Sequence, residues 1–213
     1  MKIKNILFDL DGTLSDSAEG IINCATLALE YFNLPVPSRE EMRVFVGPPL
    51  RDTFVKFGVA KENAEKAVEV YRSRYIPIGI YETQIYSGVK EALETLKEKG
   101  YKLYVATSKP ESMAIEVLKF LKIYDYFDFV CGATLDKSRD SKAEVIDYLL
   151  KQTKIEQAVM VGDTAFDVLG AAEYGIKTIG VSWGYGNVEE MLQSGAVAIS
   201  NTACELVEIL DNL

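Results

Sequence analysis

The chain has 213 residues, 48% hydrophobic and 26% charged, with 32 acidic against 23 basic side chains and a net charge of −9. That length buries one sizeable core with room for a smaller insertion, and an acidic chain without a basic cluster excludes polymeric DNA or RNA as a partner. Histidine is absent, which removes Ser-His-Asp triads and histidine-ligated zinc, and the three distant cysteines, Cys24, Cys131 and Cys204, argue against a disulfide framework and read as small core hydrophobes.

Met1-Lys2-Ile3 leads directly into the first predicted strand, 3–8, with no signal-peptide layout, and no apolar run reaches the roughly 18–20 residues of a membrane span. The expectation is a cytoplasmic protein with no membrane association. The strand runs into "DLDGT", which places Asp9 and Asp11 two positions apart. On an extended segment both carboxylates point to one side and repel, unless a cation, a shared proton or a division of labour relieves them.

From residue 16 to 82 no convincing strand appears. Ile21, Ala25, Leu29 and Phe32 form one helical stripe, the run Asn33 to Pro37 ends it, and 62–75 reads as another helix. Beyond it, predicted strands at 102–106, 127–131, 158–161, 178–181 and 197–199 alternate with helical segments such as 89–99 and 143–150. Strands apolar on both faces and separated by helices predict an α/β fold with a doubly wound parallel sheet, Rossmann-type in layout. The expected division is a core of residues 1–15 and 83–213 carrying a smaller all-helical domain, 16–82.

Sites in such folds are assembled from successive strand ends. The first strand delivers Asp9, Asp11, Gly12 and Thr13; "LYVATSK" delivers Thr107, Ser108 and Lys109; "AVMVGDTAFD" delivers Asp163 and, one helical turn later, Asp167; Lys142 opens a helix in "DKSRDSKAEVI". Taken singly, each has a structural explanation: Asp163 and Thr164 as a helix cap, Lys109 and Lys142 as solvated charges, Thr107 in a turn. The ordered combination points instead to one crevice lined with carboxylates, hydroxyls and ammonium groups.

With "DLDGT" after a strand, "GDTAFD" and the helical insert following the first motif, the chain resembles haloacid dehalogenase superfamily phosphatases of the phosphoglycolate phosphatase-like group, with insert 16–82 as a cap domain. The resemblance implies that Asp9 is the nucleophile forming an aspartyl-phosphate and that Asp11 is the general acid and base. It implies a Mg²⁺ cofactor held by Asp9, the backbone carbonyl of Asp11, and Asp163, with Asp167 on the metal's waters. Thr107 and Lys142 would act on the phosphoryl oxygens, and Gly12, Thr13, Ser108 and Lys109 complete the expected substrate-binding set.

The implied partner is a small phosphomonoester, and the catalytic crevice requires no second subunit, so a monomer or weak homodimer is expected. The segment "SRDSKAEVI" resembles a 5′-nucleotidase branch, and in the resembling caps the loop Gly47-Pro48-Pro49 with Arg51 faces the crevice, where Arg51 suits a substrate carboxylate or second phosphate. A solvated Arg51 at a helix start is the alternative, and Tyr75, Tyr81 and Trp183 read as packing residues. A phosphosugar mutase is a rival function, disfavoured because such relatives often carry Val at the position of Thr13. A phosphoacceptor signalling module is another, disfavoured because it needs neither the insert nor an acid two residues after the acceptor.

Overall fold

In the computed structural model, residues 4–213 are described, so the lead-in 1–3 and the first residue of predicted strand 3–8 lie outside the described residues. The elements in chain order are β1 (Asn5–Phe8), β2 (Ser15–Asp16), α1 (Ala18–Tyr31), α2 (Leu50–Lys56), α3 (Ala64–Tyr75), β3 (Gln84–Ile85), α4 (Val89–Glu98), β4 (Lys102–Pro110), α5 (Glu111–Phe120), β5 (Phe129–Ala133), α6 (Lys142–Thr153), β6 (Ala158–Gly162), α7 (Ala165–Ala172), β7 (Lys177–Val181), α8 (Val188–Gln193), β8 (Ala198–Ser200) and α9 (Ala203–Asp211). Short 3₁₀ turns fill several connections. Among the described residues no helix is long and apolar enough to cross a membrane.

The chain divides into two compact units, Met1–Asp16 with Ile85–Leu213, and Ser17–Gln84. The first holds a six-stranded sheet of order β5-β4-β1-β6-β7-β8, every pairing parallel. Side chains alternate across β1, so its two faces meet different helices. Leu7, level with Tyr104 and Met160, packs with Val145, Ile146 and Leu149 of α6, while Phe8 shares an apolar pocket with Leu93 and Leu96 of α4 and Leu206 of α9. Helices on both faces make the sheet doubly wound. The strand order reverses between β1 and β6, and the crevice at their carboxyl ends is where such sheets hold ligands.

The second unit is built from α1, α2, α3 and 3₁₀ turns. Its core centres on the fully buried Phe54, whose ring centroid lies 5.0 Å from that of Phe45 and 6.4 Å from that of Tyr71. The guanidinium of Arg74 forks onto both carboxylate oxygens of Glu82 at 2.7 and 2.8 Å, tying α3 to the unit's closing segment. A methyl group on Gly20 would fall 2.0 Å from the Gly79 carbonyl oxygen, so only glycine lets α1 run against that segment.

Several expectations need correction. β4 does not stop at residue 106 but runs on to Pro110, with a register shift against β5 between Thr107 and Pro110. β5 starts at Phe129, because a 3₁₀ turn, Tyr124–Tyr126, is closed by the Phe127 N–H on Tyr124 O, and the Leu103 N–H is taken by the Asp128 side chain instead of a backbone carbonyl. Asp16, expected outside any strand, belongs to β2, which pairs with β3; two residues each are too few to show a period of two. Cys204 is exposed rather than core, since Ala203, Leu206, Val207 and Leu210 occupy the buried face of α9. Tyr81 is also exposed, whereas Tyr75 is buried.

Replacing Phe54 by Ala is expected to cost about 3–5 kcal/mol, the range for an aromatic ring removed from a closed core. A lowered denaturant midpoint with unchanged m-value would register it.

Candidate active site

β1 ends at Phe8, yet the Asp9 N–H still donates to the Val161 carbonyl at 2.9 Å, which carries Asp9 to the rim of the sheet beside β6. The chain then turns. Gly12 adopts φ +93°, and a methyl group there would lie 2.2 Å from an oxygen of Asp163, so both the conformation and the space demand glycine. Within this loop the Gly12 N–H donates to Ser15 O at 2.8 Å and the Thr13 N–H to Leu10 O at 3.3 Å, while Thr13 Oγ1 donates to Asp163 Oδ1 at 3.3 Å. The backbone amides of Gly12 and Thr13, two residues of the expected substrate-binding set, are thus bonded inside the loop, and the Thr13 hydroxyl bonds to Asp163.

Asp163 follows β6, and Asp167 lies in the first turn of α7. The Thr164 N–H and hydroxyl both donate to Asp167 Oδ2, at 3.0 and 2.9 Å, which fixes that carboxylate at the helix start. Its other oxygen lies 2.8 Å from Lys142 Nζ, and Asp9 Oδ1 lies 2.8 Å from the same ammonium. Lys142 also donates to the Ala106 carbonyl at 2.9 Å. The Asp9, Lys142, Asp163 and Asp167 side chains are all buried, and Thr164 is partly so.

Lys142 opens α6, where a positive charge opposes the helix dipole, so its position has to be built. Ser141 caps the helix and Glu144 reaches back to the Ser141 N–H at 2.9 Å, a capping box. Arg139 braces the loop before it, donating to the Gly132 carbonyl at 2.7 Å, pairing with Glu111 at 2.8 Å and lying 4.0 Å over the Tyr148 ring.

Carboxylate oxygens of Asp9, Asp163 and Asp167 lie within 4.8 Å of one another. Burial raises the Asp9 carboxyl from 3.8 to about 6 against the pull of Lys142, with Asp167 and Asp11 adding to the rise. Asp163 is raised well above its ordinary value, first by burial and then by Asp167 and Asp9. For Lys142, burial alone would lower the value, but Asp167 and Asp9 more than reverse it. The cluster therefore carries negative charge that Lys142 does not fully offset. Its donors are all oxygen, which is the donor set of a hard divalent cation.

The Asp11 carboxylate stands apart from this cluster. Lys109 Nζ donates to both of its oxygens, at 2.7 and 3.0 Å, and both side chains are largely buried. The two aspartates that would crowd one volume on an extended strand are instead turned to different lysines. Thr107 is buried and its hydroxyl oxygen accepts the Lys109 N–H at 3.2 Å; Ser108 is partly buried. Arg51 belongs to the second unit, where it pairs with Glu65 at 3.0 Å, both about half exposed.

Sequence reasoning missed the loop after β7, "SWGYG". The Trp183 indole N–H donates to the Thr13 carbonyl at 3.0 Å, and the Tyr185 N–H donates to Asp163 Oδ2 at 2.8 Å. The Tyr185 hydroxyl donates to Asp16 at 2.5 Å. A methyl group on Gly184 would lie 2.4 Å from Asp163, and one on Gly186 would lie 1.8 Å from the Asp163 carbonyl oxygen. The available signal was two glycines flanking an aromatic residue just past a strand end.

Residues 6–181 match the haloacid dehalogenase-like hydrolase family. The chain is 38% identical over 194 residues to a Pseudomonas aeruginosa protein named 5′-nucleotidase, across 90% of this chain and 88% of that one. It is likewise 38% identical over 200 residues to the tyrosine-protein kinase PtkA of Mycobacterium tuberculosis, across 93% and 68%. A crystal structure of a predicted phosphatase from Clostridium acetobutylicum matches with a TM-score of 0.96 and 36% identity over 100% of both chains. The chain belongs to the haloacid dehalogenase-like hydrolase family and is an enzyme of that family's phosphatase type.

Proposed function

We propose that the enzyme hydrolyses a small phosphomonoester through a phosphoryl intermediate on Asp9, with Mg²⁺ as cofactor. The observation that carries this reading is the separation of two neighbouring aspartates, Asp9 on Lys142 at 2.8 Å and Asp11 on Lys109 at 2.7 Å. One carboxylate belongs to the buried cluster and the other stands clear of it, which suits a nucleophile and a proton carrier.

In the first half-reaction an Asp9 oxygen bonds to phosphorus, the ester P–O bond breaks, and Asp11 gives its proton to the leaving oxygen. In the second, Asp11 takes a proton from the water that attacks phosphorus, which frees Asp9 and phosphate. Lys142 spreads positive charge over Asp9 and the phosphoryl oxygens, and Thr107 and Ser108 supply hydroxyl donors. Asp9, Asp163 and the backbone carbonyl of Asp11 would hold Mg²⁺, with Asp167 on its waters, and the ion when bound offsets their charge and that of the phosphate.

For the substrate we favour nucleoside 5′-monophosphates and phosphoglycolate. The first class is supported by the 38% identity to the protein named 5′-nucleotidase. The helical unit 17–84 serves in this reading as the cap, and Arg51 is its anion-binding residue, exchanging Glu65 for a substrate carboxylate or second phosphate. The likeness to PtkA favours a second reading, in which the phosphoryl group passes to a tyrosine hydroxyl instead of water.

Phosphate release from phosphoglycolate, nucleoside 5′-monophosphates, pyrophosphate and sugar phosphates, with Mg²⁺ and with chelator, tests the proposal. Mg²⁺-dependent multiple turnover is expected; a phosphotyrosine product from ATP and a tyrosine peptide, without such turnover, would favour the second reading. Asp9→Asn is expected to abolish turnover and Asp11→Asn to slow it about 10²–10⁴-fold. Arg51→Ala should raise KM more than it lowers kcat in steady-state assays on the preferred substrate.

A pH dependence follows from the Asp9 carboxyl, which lies at about 6 in the folded protein against an ordinary 3.8. A carboxyl raised by folding contributes stability that is full below the lower value and lost as the pH rises through the higher one. Cation binding needs the deprotonated form. Mg²⁺ should therefore raise the Tm more at about pH 7.5 than at about pH 5, and an equal rise at both would contradict the assignment of Asp9 as a ligand.

A further inference from the structure

Lys109 directs its ammonium at Asp11. Its ammonium donates to both oxygens of Asp11, at 2.7 and 3.0 Å, with the two side chains only 5% and 13% exposed. Lys142, the other buried ammonium at these strand ends, pairs with Asp9 and Asp167 instead. Two of the three N–H donors of Lys109 are committed to Asp11, which fixes the ammonium against that carboxylate.

Both ends of the pair stand on fixed backbone. Lys109 lies in β4 past the register shift, its N–H donates to Thr107 Oγ1 at 3.2 Å, and its carbonyl sits so close to β5 that a methyl group on Gly132 would fall 2.5 Å from it. On the other side, Asp11 bridges to Ser15, and the Gly12 N–H next to it donates to Ser15 O at 2.8 Å. A side chain held between two ordered segments has little rotamer freedom left to lose in the transition state.

We infer that Lys109 is a positioning residue: it aims the Asp11 carboxyl at the leaving-group oxygen and is not a phosphate ligand. The inference rests on the phosphomonoesterase reading above. In the step concerned, Asp9 bonds to phosphorus, the P–O bond breaks with its electron pair staying on the leaving oxygen, and the Asp11 proton moves to that oxygen. An alkoxide leaving group needs that proton, whereas p-nitrophenolate departs without it. A residue that acts through Asp11 therefore matters for alkyl phosphates and hardly for p-nitrophenyl phosphate; a phosphate ligand matters equally for both.

The experiment compares wild type, Lys109→Met and Lys109→Arg by kcat/KM, which reports the first half-reaction. The two substrates are p-nitrophenyl phosphate and whichever of phosphoglycolate and the nucleoside 5′-monophosphates wild type turns over fastest. For Lys109→Met, kcat/KM is expected to fall about 10²-fold on the alkyl ester and only slightly on the aryl ester, with inhibition by inorganic phosphate unchanged. Lys109→Arg should restore part of the alkyl activity. Equal losses on both esters, with weaker phosphate inhibition, would overturn the inference in favour of a phosphate ligand, and undiminished activity on both would leave Lys109 no part in the reaction. If Lys109→Met fails to fold, Lys109→Arg alone carries the comparison, a selective alkyl loss supporting the inference and an equal loss refuting it. Wild type inactive on every ester would instead bring down the phosphomonoesterase reading and this inference with it.

Discussion

The enzyme's structure turns on one electrostatic problem, the burial of several carboxylates at the ends of neighbouring parallel strands with too little positive charge beside them. Asp163 and Asp167 are wholly inaccessible and Asp9 nearly so. In a poorly solvated site such groups are costly unless each is bonded or paired. The local architecture distributes hydrogen bonds and ion pairs among them: hydrogen bonds from Thr164 to Asp167 and from Thr13 and the Tyr185 amide to Asp163, and ion pairs from Lys142 to Asp9 and Asp167. Even so, Asp9 and Asp163 remain raised, so the site keeps an appetite for positive charge. That residual appetite suits a catalyst for phosphoryl transfer, where charge stabilisation supplies most of the acceleration.

Much of the first unit can be understood as scaffolding for Lys142. A lysine at the start of a helix is misplaced by the dipole, and burial makes it worse. Capping box, Arg139 brace and Ala106 carbonyl together hold it where two aspartates need it. The loop before α6, "SRDSK", is the one that does this, with Arg139 anchoring to Glu111 and Gly132 across the neighbouring segment.

The apolar framework and the charged residues at its strand ends were legible in the sequence. Asp9, Asp163 and Lys142 each stand beside a periodic apolar run, and Asp167 follows Asp163 by one turn, so pattern alone directs them to one rim. What escaped were contributions without a side-chain signature. Tyr185 acts on Asp163 through its backbone N–H, and Gly184 and Gly186 act by lacking a Cβ. The Lys109 and Asp11 pair was hidden because it depends on β4 continuing past its apolar stretch with a shifted register. Trp183 looked like packing, and its indole N–H proves to hold the Thr13 carbonyl. Cys204 and Tyr81 misled for the opposite reason, since apolar neighbours in sequence do not determine which side of a helix or turn faces inward.

The small ribbon of β2 and β3 has a bearing on how such enzymes diversify. Ser15–Asp16 pairs with Gln84–Ile85, and the Tyr86 N–H donates to Leu14 O at 3.2 Å, so the points where the chain departs from and rejoins the sheet-bearing unit are already joined. Once the ends of a loop are clamped, its length matters little: doubling it costs only about 0.6 kcal/mol of closure entropy. The intervening segment can therefore be lengthened, shortened or exchanged as a cassette while the sheet-bearing unit keeps its own strand pairing.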